Sequence, residues 1–300
     1  MLCVKNYIKK FVKTCNYDKE AMQSILSNFD KIKSNKNAYQ KLLDSIKSYK
    51  NDFDYPMQKI IDASNEVASM VSIHEYESIL VFLILLTSPL KYYYRKNGIQ
   101  KSVWQNTVLD IKYKMVECKL VKDIYGIFVA SWFERMLKLR IFGLGRLQFC
   151  PYNAERDYEK NGKKVKVGDK VLSIHIPRDE TPLKPEDVDN SLKMAKEFFK
   201  KDFEGKPLSF ICVSWMLYPD IIKILKPTSN IVAFASRFDV LFNIDLQGED
   251  KFSDMWRIFD MDYTGNINDY KEDSSLRRNM KNHLLSNGKV GESYGTFIYE

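Results

Sequence analysis

Apolar residues recur at three- and four-residue spacing from the start of the chain to about residue 142, and at Gly143 the pattern changes to alternation. The first regime predicts helices. Tyr7–Cys15, Asp18–Ile32 and Asn37–Tyr49 each place an apolar stripe on one face. Pro56 is suited to opening a helix through Met57–Val71, because its missing N–H is one that a first turn would leave unpaired. Glu75–Tyr94 reads as helical apart from a kink or stop near Pro89. Gln100–Leu120 and Tyr125–Phe142 complete a predicted bundle of six or seven helices, with Asn97-Gly98 as a turn between two of them. The run Ile79–Leu86 is apolar throughout but only eight residues long. A membrane span needs about 20 such residues, so the run predicts a buried helix.

The second regime predicts a mixed sheet. Gly145–Tyr152 sets Leu147 and Phe149 on one face and Arg146, Gln148 and Cys150 on the other. Lys160-Asn161-Gly162 and Val167-Gly168-Asp169 are turn sequences. Val171–Pro177 alternates with Ser173 and His175 on one face, and a helix opens at Pro185 with Val188, Leu192, Ala195 and Phe199 in line. Pro207–Val213 is apolar on both faces, as a central strand covered by helices should be. A short helix at Ile221–Leu225 and a long strand over Asn230–Ile244 follow. Helices near Phe252–Phe259 and Ser274–Leu285, then a last strand at Ser293–Tyr299, close the chain. The expectation is an α+β chain, with a helical domain over 1–142 and a mixed α/β domain over 143–300.

Charge sharpens the division. Residues 1–140 hold 23 Lys and Arg against 14 Asp and Glu, whereas 141–300 hold 24 against 25. Solvated lysines on amphipathic helices account for the basic half, and an acidic ligand is the alternative. No nucleic-acid recognition motif accompanies the charge, so nucleic acid is not an expected partner. Five cysteines, Cys3, Cys15, Cys118, Cys150 and Cys212, are scattered and never form a CxxC pair. They predict free thiols in a reducing, cytoplasmic compartment, without a disulfide frame or metal site. The lysine-punctuated N-terminus has no apolar core for a signal peptide, and no membrane association is expected.

GRLQF, GDKVLSIHIP, PLKPEDVDNSL, CVSWML, FASRF and SLRRNMKNHLLSNGKVGESYG together cover most of 145–295. In wording and order they resemble a bacterial group of acyltransferase-domain proteins, with a helical N-terminal domain and a C-terminal domain similar to the GCN5-related N-acetyltransferases (GNAT). The resemblance implies an acyl-CoA co-substrate between splayed strands, Val171–Pro177 and Pro207–Val213, and transfer to a small amine or hydroxyl acceptor. It places the loop from Arg178 to Ser191 at the coenzyme A pyrophosphate. That loop, RDETPLKPEDVDN, departs from the group's glycine-rich phosphate turn, and Glu186, Asp187 and Asp189 occupy the field a phosphate would use. The departure favours the alternative of a non-catalytic GNAT-fold binding protein that has lost the cofactor loop. Arg140-Ile-Phe-Gly143-Leu-Gly145 matches the missing turn letter for letter but lies between a helix and a strand, the reverse of the required order.

The candidate chemistry gathers at strand ends, where open α/β sheets bind ligands. His175 is placed as a general base, competing with a purely structural histidine. Ser214 could polarise a thioester carbonyl or cap the following helix, and Trp215 could wall an acyl pocket or fill the core. Arg146, Gln148 and Arg237 sit in otherwise apolar strand sequences, where a buried charge or amide requires a partner or a ligand. Arg178 begins the loop that the resemblance assigns to the cofactor. Tyr218 lies where some GNAT enzymes keep a general-acid tyrosine. Asp260–Gly265 resembles a calcium-binding loop, but its twelfth position is Lys271 in place of glutamate. The chain lacks a G-x-S-x-G elbow for a serine hydrolase.

Overall fold

The computed structural model describes residues 4–299; Cys3 lies outside them. The chain divides after Gly143 into two compact units. The first unit contains α1 (Val4–Thr14), α2 (Lys19–Ser34), α3 (Lys36–Asn51), α4 (Met57–Val71), α5 (Glu75–Lys96), α6 (Lys101–Lys122) and the one-turn α7 (Glu134–Leu137). Local chemistry sets several boundaries. Asp18 accepts the Ala21 N–H at 2.7 Å and Asn35 accepts those of Asn37 and Ala38. At the start of α5, His74 and Glu77 form a reciprocal capping box.

α5 is the axis of this unit: Ser78–Thr87 is buried along its whole length, and α1, α2, α3, α4 and α6 all pack on it. This explains an apolar run that has no polar face. The helix continues through Pro89 to Lys96 and does not stop there. Proline costs a helix interior roughly 3 kcal/mol, which the burial of Leu86, Pro89, Leu90, Tyr93 and Tyr94 on one side of this turn offsets. Among the described residues, no helix is long and apolar enough to cross a membrane. The predicted helix over Tyr125–Phe142 does not form. Gly126 lies where a Cβ would come within 2.6 Å of Tyr76, and Ile127 donates to the Tyr76 carbonyl. The chain is thus held against the start of α5 and recovers only a 3-10 turn at Ala130–Phe133 before α7.

The second unit is organised by a six-stranded sheet in the order β1-β2-β5-β6-β8-β7. Its strands are β1 (Phe142–Leu144, at the junction), β2 (Leu147–Asn153), β5 (Lys170–His175), β6 (Ser209–Ser214), β7 (Asp239–Leu246) and β8 (Val290–Ile298). A separate hairpin, β3 (Tyr158–Lys160) and β4 (Lys163–Val165), turns at Asn161-Gly162, both with positive φ, as a two-residue hairpin turn requires. β5 and β6 run parallel, and the other pairings given for β2, β5, β6, β7 and β8 are antiparallel.

The helices α8 (Pro185–Phe198), α9 (Pro219–Lys223) and α10 (Asn230–Ala235) precede β7; α11 (Trp256–Phe259) and α12 (Ser275–Leu285) lie between β7 and β8. The long strand expected over Asn230–Ile244 is therefore wrong in its first half. Ser229 caps α10 by accepting the Ile231 N–H, and Ser236 donates to the Val232 carbonyl. The capped local turn overrides the β-branched pair Ile231-Val232. Arg237 consequently lies in the turn before β7, and Arg146 lies between β1 and β2; neither is a strand residue.

Candidate active site

Register assigns the faces of the sheet, because directly paired residues share a face and successive residues alternate. Phe149, Leu172, Ile174, Phe210, Cys212, Ser214, Ser293 and Gly295 share one face. Leu217 and Phe238 pack there so closely that a Cβ on Gly295 would clash with both. Gln148, Cys150, Ser173, His175, Ile211, Val213, Glu292 and Tyr294 share the other. Part of this second face is covered from the β3–β4 side, where Ala154, Tyr158 and Val165 cluster with Val171, Ile211 and Tyr294.

β5 and β6 pair only at Leu172↔Phe210 and Ser173↔Ile211. Beyond that point Ile174 and His175 pair only with β2, and Cys212–Ser214 only with β8. Two parallel strands that begin together and then separate leave a notch at the centre of the sheet, with backbone N–H and C=O groups facing it. His175 stands on one lip, directly opposite the buried Gln148, and Ser173 Oγ lies 3.5 Å from its Nε2.

The remaining candidates separate into two groups. Arg146 gathers the loop after β5: it donates to the Pro177 carbonyl at 2.7 Å and pairs with Asp179 at 3.1 Å, while its backbone N–H donates to Ser191 Oγ. Arg178 and Arg277 both pair with Asp260, whose carboxyl is held below the ordinary range by the two guanidiniums against the opposing effect of burial. That occupancy makes Asp260 a structural anion. Arg237 pairs with Asp189 at 2.5 Å and donates to the Pro185 carbonyl, fastening the turn before β7 to the start of α8.

Ser214, Trp215 and Tyr218 lie past the other lip. Ser214 Oγ accepts the Met216 N–H and so caps the following 3-10 turn. Trp215 packs against the core of Tyr218, Ile258, Phe259, Met280 and Val290. Tyr218 donates to Asp245 at 2.7 Å; burial, that bond, and the Asp245 and Asp220 charges push its phenol up to about 12. It packs against Gly291, hence on the face opposite His175. The structure therefore brings His175 and Gln148 together and sets Ser214 and Tyr218 across the sheet from them.

The sequence reading missed Glu292. It sits on the His175 face of β8, one residue beyond the Ser214↔Ser293 pair, where β6 ends. Placing the start of the last strand at Ser293 left it just outside. The signal was there: a carboxylate two residues before Tyr294 falls on the same face of that strand. Cys15, Cys118 and Cys212 are buried free thiols that burial pushes up to about 11, 11 and 12, away from the thiolate form a nucleophile needs.

The description "GNAT-like C-terminal domain" fits residues 141–297, and "N-acyltransferase N-terminal domain" fits residues 7–139. A comparison with curated proteins finds no match. Among solved structures, an acyltransferase in complex with decanoyl-CoA and teicoplanin is similar with a TM-score of 0.72 at 18% identity, over 97% of this chain and 87% of the other. An acyltransferase in complex with CoA and 10C-teicoplanin gives the same figures. A third, an acyltransferase in complex with decanoyl-CoA, has a TM-score of 0.62 at 17% identity over 98% and 99% of the two chains. At such identity these likenesses speak for the fold. With both parts matched, the chain belongs to the acyltransferase-domain family in which an N-acyltransferase N-terminal domain precedes a GNAT-like C-terminal domain.

Proposed function

We propose that this protein transfers an acyl group from acyl-CoA to a small amine or hydroxyl acceptor, in the cytoplasm, with the two-domain division near residue 143 expected from the sequence. The observation that carries the reading is the notch between β5 and β6, where pairing stops after Ser173↔Ile211. Unpaired strand edges there supply hydrogen-bond groups to a pantetheine arm, and the solved relatives in the fold are crystallised with acyl-CoA or CoA. His175 on the lip is the base: it takes the proton from the acceptor as the acceptor attacks the thioester carbonyl. Ser214, at the end of β6, is an assisting group toward the leaving thiol from the other face of the sheet, and Tyr218 can join it only by giving up its bond to Asp245. Gln148 orients His175, and Trp215 borders the site.

The phosphate end differs from the usual arrangement. The loop after β5 has no glycine, and Arg146, Arg178 and Arg237 are engaged with Asp179, Asp260 and Asp189. The pantetheine and acyl chain therefore supply most of the affinity. This closed loop also favours the second reading, a binding protein that keeps the fold without the reaction. Release of the coenzyme A thiol from decanoyl-CoA, with a panel of amines and alcohols, separates the two. The reading expects acceptor-dependent release that falls roughly 10²–10⁴-fold in His175→Ala, the range a positioned base contributes. Bound decanoyl-CoA with no release for any acceptor would establish the binding protein.

A further inference from the structure

Glu292 is half-buried, and among the described residues it has neither a hydrogen bond nor an ion pair. An ionised carboxylate is expensive to desolvate without a partner, so its position calls for an explanation. The charged groups that act on it come from the segment before β8: Asp254 and Arg257, which pair with each other at 3.1 Å. Burial and the Asp254 charge raise the Glu292 carboxyl above its ordinary value, and Arg257 opposes them. Arg257 also stacks over Trp256, so its guanidinium is already committed.

The geometry around Glu292 is that of a site. Continuing the Ser173↔Ile211 register places His175 level with Val213, and Val213 pairs with Tyr294 on β8. Glu292 is the next residue along that face of β8, and its partner on β7 is Ile244. Val213 and Ile244 are large apolar side chains left 43% and 42% exposed. Between the His175 imidazole and the Glu292 carboxylate the floor of this face is Val213, beside Tyr294, and Ile244 extends it on the far side of Glu292. With strands about 4.8 Å apart and about 6.6 Å per two residues, an unbroken sheet would set the two backbones on the order of 12 Å apart, and the separation of β5 from β6 widens this. That leaves room for a small acceptor between the side chains.

We infer that Glu292 is the acceptor-binding carboxylate, which holds a cationic amine over Val213 with its nitrogen turned toward the notch. This rests on the proposed acyl transfer for its catalytic consequence and on the sheet geometry for binding itself. The reaction then balances. The ammonium gives one proton to His175, and its nitrogen lone pair forms the C–N bond at the thioester carbonyl. The C–S bond breaks, and the thiolate takes up the amine's second lost proton; amide and free coenzyme A leave. Glu292 is not consumed and makes no bond to the acyl group.

The test uses full-length protein and the two near-isosteric variants Glu292→Gln and Glu292→Asp, each shown to be folded by its melting transition. Binding of hexylamine, octylamine and benzylamine, and of the matching alcohols, is measured calorimetrically with and without coenzyme A. The amines should bind wild type better than the alcohols do, lose at least about tenfold in Glu292→Gln, and recover in part in Glu292→Asp. Decanoyl-CoA affinity should be the same in all three proteins. Amine binding unchanged in Glu292→Gln, no amine preference, or no amine binding to wild type would each overturn the inference. Failure of decanoyl-CoA to bind, with Glu292-dependent amine binding intact, would refute the acyl-transfer reading and leave this one standing.

Discussion

Replacing Asp260 with asparagine should destabilise the second unit by roughly 3 kcal/mol, the cost of breaking a mostly buried charge pair from one side. Asp260 is the place to ask because its geometry isolates the charge. It caps α11 in the left-handed region at φ +57°, a conformation asparagine adopts readily, so the backbone is not perturbed. Its side chain is 12% exposed, and those of Arg178 and Arg277 are 30% and 15%, so solvent screening removes only part of the interaction. Arg277 keeps Asp273 and the Ile258 carbonyl, which limits the loss on that side. At about 2–4 °C per kcal/mol, the melting temperature should fall by roughly 6–12 °C. Sign follows from the lowered carboxyl. Its stabilisation is complete above the unfolded value near 4 and is lost as pH falls through the lower folded value. Urea titrations of wild type and Asp260→Asn should therefore differ fully at pH 7 and converge below pH 4. A difference under about 1 kcal/mol at pH 7, or one that does not shrink with acid, would refute this view of the cluster.

Further consequences are checked by similar means. Tyr218→Phe keeps the ring against Gly291 and removes one bond to Asp245; it should cost about 1 kcal/mol in urea titration. In wild type the Tyr218 phenol should ionise only near pH 12, followed by its absorbance against Tyr218→Phe. Gly291→Ala places a methyl within 2.1 Å of the Ile244 carbonyl, which the paired strand cannot yield, and should cost about 3 kcal/mol or prevent folding. Arg146→Lys loses the fork that reaches Pro177 and Asp179 and should raise proteolytic cleavage within 177–184 while leaving the melting temperature of the helical unit unchanged.

The parts of this fold that were legible in the sequence are those where one local signal decides. The two-faced apolarity of Pro207–Val213 became a strand inside the sheet. The signal failed where tertiary context chose between equal local options. Asn230–Ala235 is β-branched and aromatic, yet a serine cap and packing beside α8 make it a helix. Tyr125–Phe142 has helical spacing but is held by Gly126 against Tyr76. The site divides in the same way. His175 at a strand end could be read directly, whereas the pairing of Arg178 with Asp260 spans 82 positions and is invisible to any local pattern. Glu292 had a local signal in its spacing from Tyr294, but only register showed that this face is also the His175 face.

The central claim is that an acyl-CoA enters the notch between β5 and β6, and a calorimetric titration of folded, ligand-free protein tests it most directly. Decanoyl-CoA should bind saturably and with higher affinity than free coenzyme A, because the acyl chain and pantetheine must supply what the glycine-free loop does not. At 100-fold excess over its dissociation constant it should stabilise the fold by about 2.7 kcal/mol. Heat of dilution alone for decanoyl-CoA and for coenzyme A, with no accompanying stabilisation, would contradict the account.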